Sequence, residues 1–380
     1  MKPIVYADNA ATTKLKVEAL EAMKPYLLEE YGNPSQPYSF SRSVKKALKE
    51  AREIIADCVN ASPEEIYFTS GGTESDNWAI KGGAFTFDPK CRVITSAIEH
   101  HAILKSCEFL EGRGYSVAYL PVSAEGEILP QTLSSVITKE TKLVSIIFAN
   151  NEIGTIQPIQ ELAEIAHRNG AVFHTDAVQA LGHINVDVKA LNIDMLSASA
   201  HKFGGPKGVG FLYVKNGTNL VSYLSGGSQE SSRRAGTQNV AAIVGMAAAL
   251  QCSANDIVAL QKLYAEERFF IAKLQTAGFV IDRDFMWNGN HNETKHLPGV
   301  ISLSFKGKDG EAIMHRLDLK GIMISTGAAC DSVNTQVSHV IQAINVPTDY
   351  AKGTIRISFN HESSHADVEK VANTLLDVLK

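Results

Sequence analysis

Apolar positions recur at helical spacing over Val17–Glu30 and Ser43–Val59, and then the pattern changes. Short runs rich in β-branched and aromatic residues begin at Glu65–Ser70. They return at Arg92–Ser96, Ser116–Leu120, Leu143–Ala149, Ala171–Thr175, Met195–Ser199 and Val209–Val214. Helical stretches such as Thr73–Gly83 and Ile159–Arg168 lie between several of them. A period near 3.6 marks an amphipathic helix, and a short apolar run bounded by turn residues marks a buried strand. Strands alternating with helices predict βαβ units, hence an α/β fold with a mainly parallel sheet covered by helices on both faces. Ligands of such sheets bind outside the carboxyl ends of the strands.

Past residue 253 the pattern becomes α+β. Asp256–Gln275 reads as a long amphipathic helix, and Asp309–Leu319 and His365–Leu379 as shorter ones. Val300–Phe305, Ile322–Ser325 and Thr354–Phe359 read as strands, and the polar stretch Asp282–Leu297 as a loop. The expected division is a large domain over residues 15–253 and a small one built from 1–14 and 254–380. A chain of 380 residues has room for both.

Composition narrows the classes. Hydrophobic content of 44% and charged content of 20% are those of a water-soluble globular protein. A net charge of −5 argues against direct nucleic-acid binding. No apolar run reaches the length of a membrane span, and the first residues carry no signal-peptide core. A cytoplasmic protein is expected. Five scattered cysteines, Cys58, Cys91, Cys107, Cys252 and Cys330, suggest neither a disulfide framework nor a metal site.

Several segments carry candidate chemistry. The strand Met195–Ser199 runs into His201, Lys202 and a glycine-rich turn, and His174–Gln179 puts Asp176 at another strand end. An amine for a Schiff base and an acid for a pyridine nitrogen are what pyridoxal phosphate requires. Thr69–Asn77 places Gly71, Gly72 and Thr73 between a strand and a helix, as a phosphate cup or as a capping box of Thr73 with Asp76. Glu99-His100-His101 offers an imidazole for stacking and proton exchange, or a polar surface pair. Asn150-Asn151 ends a strand with two amides, as ligands or as a turn. Ser225–Thr237 is polar and glycine-rich, with Thr237 able to donate to a phosphate. Cys330 follows Ser325-Thr-Gly-Ala-Ala, where a thiol is either approachable or simply small and buried. Arg356 stands mid-strand, fit for a carboxylate if it points inward.

Taken together and in order, these segments resemble the class V aminotransferase family of pyridoxal-phosphate enzymes. Within it they are similar to the cysteine desulfurases of the NifS/IscS type. The likeness covers essentially the whole chain, from Tyr6–Thr13 and Tyr31–Ser35 through Thr69–Asn77, Asn150–Gly154 and His201-Lys202 to Ser325–Cys330 and Arg356–Ser358. It implies the aspartate-aminotransferase-like fold type I, with a seven-stranded sheet.

The resemblance also implies roles. Lys202 would be the Schiff-base lysine, Asp176 the partner of the pyridinium nitrogen, and Gln179 a contact to the phenolic oxygen. His100 would stack on the ring and act as acid or base. Gly72, Thr73, Ser199 and His201 would hold the phosphate, with Thr237 supplied across a homodimer. Asn151 and Arg356 would bind the L-cysteine carboxylate. Cys330 would take the sulfur as a persulfide, leave L-alanine, and pass the sulfur to an acceptor protein, as in iron–sulfur cluster assembly. A selenocysteine lyase or another class V aminotransferase or lyase is the alternative on the same scaffold. Two positions depart from many relatives: Tyr38 stands where they carry His, and Ser231-Ser232 where they carry Arg-Gly.

Overall fold

The computed structural model describes residues 4–89, 91–326 and 337–380, less the side chains of 254–258. The strands, in chain order, are β1 (Val5–Tyr6), β2 (Ile66–Thr69), β3 (Arg92–Ser96), β4 (Ser116–Leu120), β5 (Thr141–Ser145) and β6 (Val172–Asp176). They continue with β7 (Met195–Ser199), β8 (Gly210–Val214), β9 (Phe285–Asn288), β10 (Val300–Phe305), β11 (Ile322–Met323) and β12 (Thr354–Ser358).

Seven of them form one sheet in the order β2-β8-β7-β6-β5-β3-β4. From β7 to β4 all neighbours are parallel, as the alternation predicted. Strand β8 runs antiparallel to both β7 and β2. The cause is local: only a glycine-rich turn joins Ser199 to Gly210, too short for the crossover a parallel pair needs. The apolar run read over Leu143–Ala149 pairs as β5 only at Thr141–Ser145.

Apart from the edge strand β4, which is partly exposed, both faces of this sheet are buried, so its strands read as largely apolar runs. The side chains nevertheless alternate. Ile94, Val144, Leu196 and Phe211 enter one core, under helices Arg42–Val59 and Ile159–Arg168. Val93, Leu143, Met195 and Leu212 enter the other, against Trp78, Ile103 and Cys107. A β strand turns successive residues to opposite faces, so each core takes every second one.

The rest of the chain builds a three-stranded antiparallel sheet, β12-β10-β9, beside the parallel pair β1-β11. Strand β9 lies inside the polar stretch 282–297 read as a loop. Its four residues, Phe-Met-Trp-Asn, pair along the edge of β10. A third core, with Leu263, Phe270, Ile301, Leu303, Ile355 and Leu375, underlies this sheet.

Two segments tie the parts together. Helix Val240–Thr276 is 37 residues long; Met246 and Leu250 pack in the large-sheet core, and Leu263 and Leu274 in the small-sheet core. The N-terminal segment pairs β1 with β11, then donates from Thr13 N to the His201 carbonyl at 3.0 Å.

Candidate active site

Lys202 and Asp176 reach the same place by the same device. Asp176 is the last residue of β6, and Lys202 closes a single 3-10 turn directly after β7, the neighbouring strand. Both stand at carboxyl ends of the parallel sheet, where a cavity of about 280 Å³ opens. Gly72 and Thr73 enter it from the start of the helix after β2, Ser199 from the end of β7, and His201 from the turn that follows. His100 and Asn151 come from the ends of the segments that follow β3 and β5. Arg356, from β12 of the small sheet, and the backbone of Ala10 and Ala11 close it from the other side. Val178, Gln179, Ile147 and Asp76 complete the wall.

The Lys202 amine donates to the carbonyls of Ala10 at 2.6 Å and Ala11 at 3.0 Å. These bonds hold it at the cavity. His201 is held by Thr12 Oγ1 at 3.1 Å, and burial, with the Lys202 cation beside it, pushes its pKa down to about 4. It is therefore neutral at physiological pH.

His100 precedes helix His101–Glu111, and its Nδ1 accepts from the Ala102 backbone N–H at 3.1 Å. That bond assigns the ring proton of the neutral form to Nε2. Burial lowers the His100 pKa, partly opposed by the Asp176 carboxylate. Glu99, wholly buried, accepts from Ser96 Oγ at 2.5 Å and from the Ile147 N–H at 2.9 Å. Burial raises its pKa to about 8, so its proton stays on at neutral pH.

Asp176 accepts from the Val178 N–H at 2.9 Å. Behind it, Asp76 is fully buried, and ligand atoms of Asp76, Asp176 and His100 lie within 4.8 Å of one another. The capping reading of Thr73 with Asp76 is thereby corrected. Gly71 is the residue preceding the helix, Glu74 reaches back to the Ser70 N–H, and Asp76 points into the site. A residue four positions after the cup lies one helical turn above it, and this spacing was the available signal.

The two amides in the segment after β5 divide their work. Asn150 makes the turn: its Oδ1 accepts from Glu152 N and Ile153 N, and its Nδ2 donates to the Ile98 carbonyl. Asn151 lines the cavity, and its carbonyl accepts from Arg356 Nη1 at 3.0 Å. Arg356, 2% exposed, also donates from Nη2 to the Asp8 carboxylate at 2.7 Å, while its Nε has no hydrogen-bond partner. Asp8 was not singled out from the sequence.

One expected site residue lies elsewhere. Thr237 borders a separate surface groove with Tyr26, Asn33 and Gln238, outside the cavity of its own chain. Cys330 lies outside the described residues. The residues flanking that stretch are anchored at the site. Ser325 and Arg356 exchange backbone hydrogen bonds at 2.7 and 3.0 Å, and His339 Nε2 bonds the Glu99 carbonyl at 3.0 Å.

A mainly parallel seven-stranded sheet with its site across the strand ends, closed by a small α+β unit, is the architecture of the fold type I pyridoxal-phosphate enzymes. The chain belongs to the class-V aminotransferase family, whose model matches residues 5–371. Within that family its relatives are cysteine desulfurases. The cysteine desulfurase IscS of Dictyoglomus turgidum is 47% identical over 382 residues, covering 100% of this chain and 94% of the relative. Among solved structures, a NifS-like protein matches with a TM-score of 0.92 at 34% identity over 99% of each chain. SspA in complex with cysteine matches with a TM-score of 0.81 at 35% identity, over 94% of this chain and 99% of that one.

Proposed function

We infer that this chain is a pyridoxal-phosphate-dependent cysteine desulfurase. The observation that carries the reading is one cavity that brings together Lys202, Asp176, His100 and a buried Arg356. The residues present fit the cofactor. Gln179 Oε1 is buried at the cavity without a hydrogen-bond partner. Gly72 lets the backbone of the cup pass close under Val178, since a Cβ there would come 2.6 Å from Val178 Cγ2. Gly72, Thr73, Ser199 and neutral His201 would hold the phosphate, Asp176 the ring nitrogen, Gln179 the phenolic oxygen, and His100 the ring face.

When bound, the cofactor supplies a carbonyl for the substrate amine and a ring that withdraws electrons from its Cα. Arg356 and Asn151 orient the L-cysteine carboxylate, so that the amine and Cα face Lys202. Lys202 Nζ moves the proton at Cα. His100, with its proton on Nε2, faces the substrate thiol. The Cys330 thiolate attacks the substrate sulfur; the Cβ–S bond breaks and an S–S bond forms. The carbon skeleton takes up protons and leaves as L-alanine, with Cys330 as a persulfide. Its sulfur passes to an acceptor protein. Cys330 lies five positions from Ser325, which pairs with Arg356, and this supports the assignment. The position of Thr237 outside its own cavity supports a homodimer in which it serves the partner's phosphate.

The test measures alanine and sulfide release from cysteine with Cys330→Ala. The variant is expected to keep the visible absorbance of the bound cofactor and lose at least 100-fold in sulfur release, order of magnitude for an essential nucleophile. Full desulfurase activity in that variant, or no cofactor absorbance in the parent, contradicts the reading.

A further inference from the structure

Beneath the cavity floor lies a buried polar chain to which the proposed reaction gives no part. His174, on β6 and wholly buried, bonds Ser145 Oγ at 2.8 Å through Nδ1 and Ser197 Oγ at 3.0 Å through Nε2. Its other near neighbour is Asp76, with Nε2 3.9 Å from Oδ1. Asp76 is 1% exposed and its Oδ1 has no hydrogen-bond partner. Beside it stands Asp176, 4% exposed. No lysine or arginine is paired with Asp76 among the described residues.

Two carboxyl groups in buried contact do not both ionise, because the second charge lacks water and faces the first. The surroundings decide which keeps the proton. Burial raises the pKa of Asp176 too, but His100, the Val178 N–H and Lys202 all oppose that rise. For Asp76, burial and then the charge of Asp176 beside it oppose ionisation, and only a contact from Ser197 works the other way. His174 beside it brings no positive charge, since burial pushes its pKa down to about 3.

We propose that Asp76 carries a proton and donates it in a hydrogen bond to Asp176, making Asp76 a positioning residue that keeps the Asp176 carboxylate ionised and aimed at the pyridine nitrogen of the cofactor. The inference rests on the proposed cofactor only for its last clause; the shared proton is a property of the protein alone. Asp176 is then gripped by two donors, the Val178 N–H and the Asp76 O–H. The Ser145–His174–Ser197 chain supports Asp76 from behind with neutral groups. An ionised Asp76 would put a second negative charge under the ring.

The experiment has two arms. In the apoprotein near pH 7, infrared difference spectra report the carboxylic-acid C=O stretch. The protonated Glu99 contributes its own band, so Glu99→Gln serves as the background. That variant is expected to keep one acid band, and Asp76→Asn in the same background to lose it. Absence of the band before Asp76 is changed overturns the shared proton. In the holoenzyme, the visible absorbance of the bound cofactor is titrated with pH. Asp76→Asn, which keeps a donor, is expected to retain the parent's midpoint to within about half a unit. Asp76→Leu, without a donor, is expected to lose roughly tenfold in cofactor affinity, the loss of about one hydrogen bond to a charged group. A midpoint shift of about one unit or more in Asp76→Asn, as removal of an ionised neighbour produces, overturns the proposal. So does a Leu variant that binds cofactor like the parent. A parent with the infrared band but no cofactor absorbance overturns the functional reading and the positioning role, while the shared proton stands.

Discussion

Arg356 is a buried cation whose charge is matched in the free protein by Asp8 at 2.7 Å. Its Nε is buried with no hydrogen-bond partner of its own. A substrate carboxylate thus meets an arginine already held flat by Asp8 and the Asn151 carbonyl. Arg356→Gln is expected to raise KM for cysteine roughly 10- to 100-fold, the loss of one or two charge-assisted hydrogen bonds. The cofactor absorbance should be unchanged. Steady-state kinetics check this, and an unaltered KM would remove Arg356 from substrate binding. At this scale the sequence went far for residues whose neighbours in the chain share their task, such as His201 with Lys202. It stopped at Asp76 and Asp8, whose roles come from contacts with Asp176 and Arg356, 100 (176 − 76) and 348 (356 − 8) positions away.

Helix Val240–Thr276 is the element where the pattern gave least. Only Asp256–Gln275 had a readable amphipathic face. The first half, Ala-Ala-Ile-Val-Gly-Met-Ala-Ala-Ala-Leu, is apolar nearly all round, because it packs against helices Val17–Leu28 and Arg42–Val59 and the main sheet together. A helix buried on most sides shows no polar stripe to reveal its period. Its continuity has a consequence for folding. Met246 and Leu263, both fully buried, sit in different cores on one rigid rod. Met246→Ala and Leu263→Ala are each expected to lose about 2–5 kcal/mol, typical of a large buried side chain cut to alanine. Both should shift one shared urea transition, followed by far- and near-UV circular dichroism. Separate transitions, one moved by each variant, would mean that the helix does not couple the cores.

For the molecule as a whole, the buried ionisable groups at the site shape stability against pH. Burial raises the Glu99 pKa to about 8 from an unfolded value near 4.5. The native state then binds the extra proton, so this contribution is present below about pH 4.5 and is lost as pH rises through about 8. His174 has the opposite sign. Its pKa falls to about 3 from near 6.5, so its contribution is present above about pH 6.5 and is lost as pH falls toward 3. Above about pH 6.5 only the Glu99 loss remains of the two, joined by Asp76, which burial raises in the same direction. Glu99→Gln is expected to flatten the decline in unfolding free energy between about pH 6.5 and 8. Urea melts across that range check it, and equal slopes in parent and variant would exclude Glu99 as the cause.

By itself, the order of apolar runs determined an α/β sheet followed by an α+β unit, because a 2- or 3.6-residue period records which side of an element is buried. Motifs that work within a few residues of one another were equally legible: the turn carrying His201 and Lys202, the glycine cup, and Asp176 at its strand end. Tertiary structure decided what the chain has to bring from afar. It turned β8 antiparallel through a short connection, and it delivered Arg356 from another sheet to face Lys202. It moved Asp76 from helix cap to the floor of the site, and it placed Thr237 outside its own cavity. The physical reason is the same in each case. Periodicity and turn chemistry are local forces written along the chain, whereas burial, charge pairing and shared protons depend on neighbours that exist only once the chain has folded.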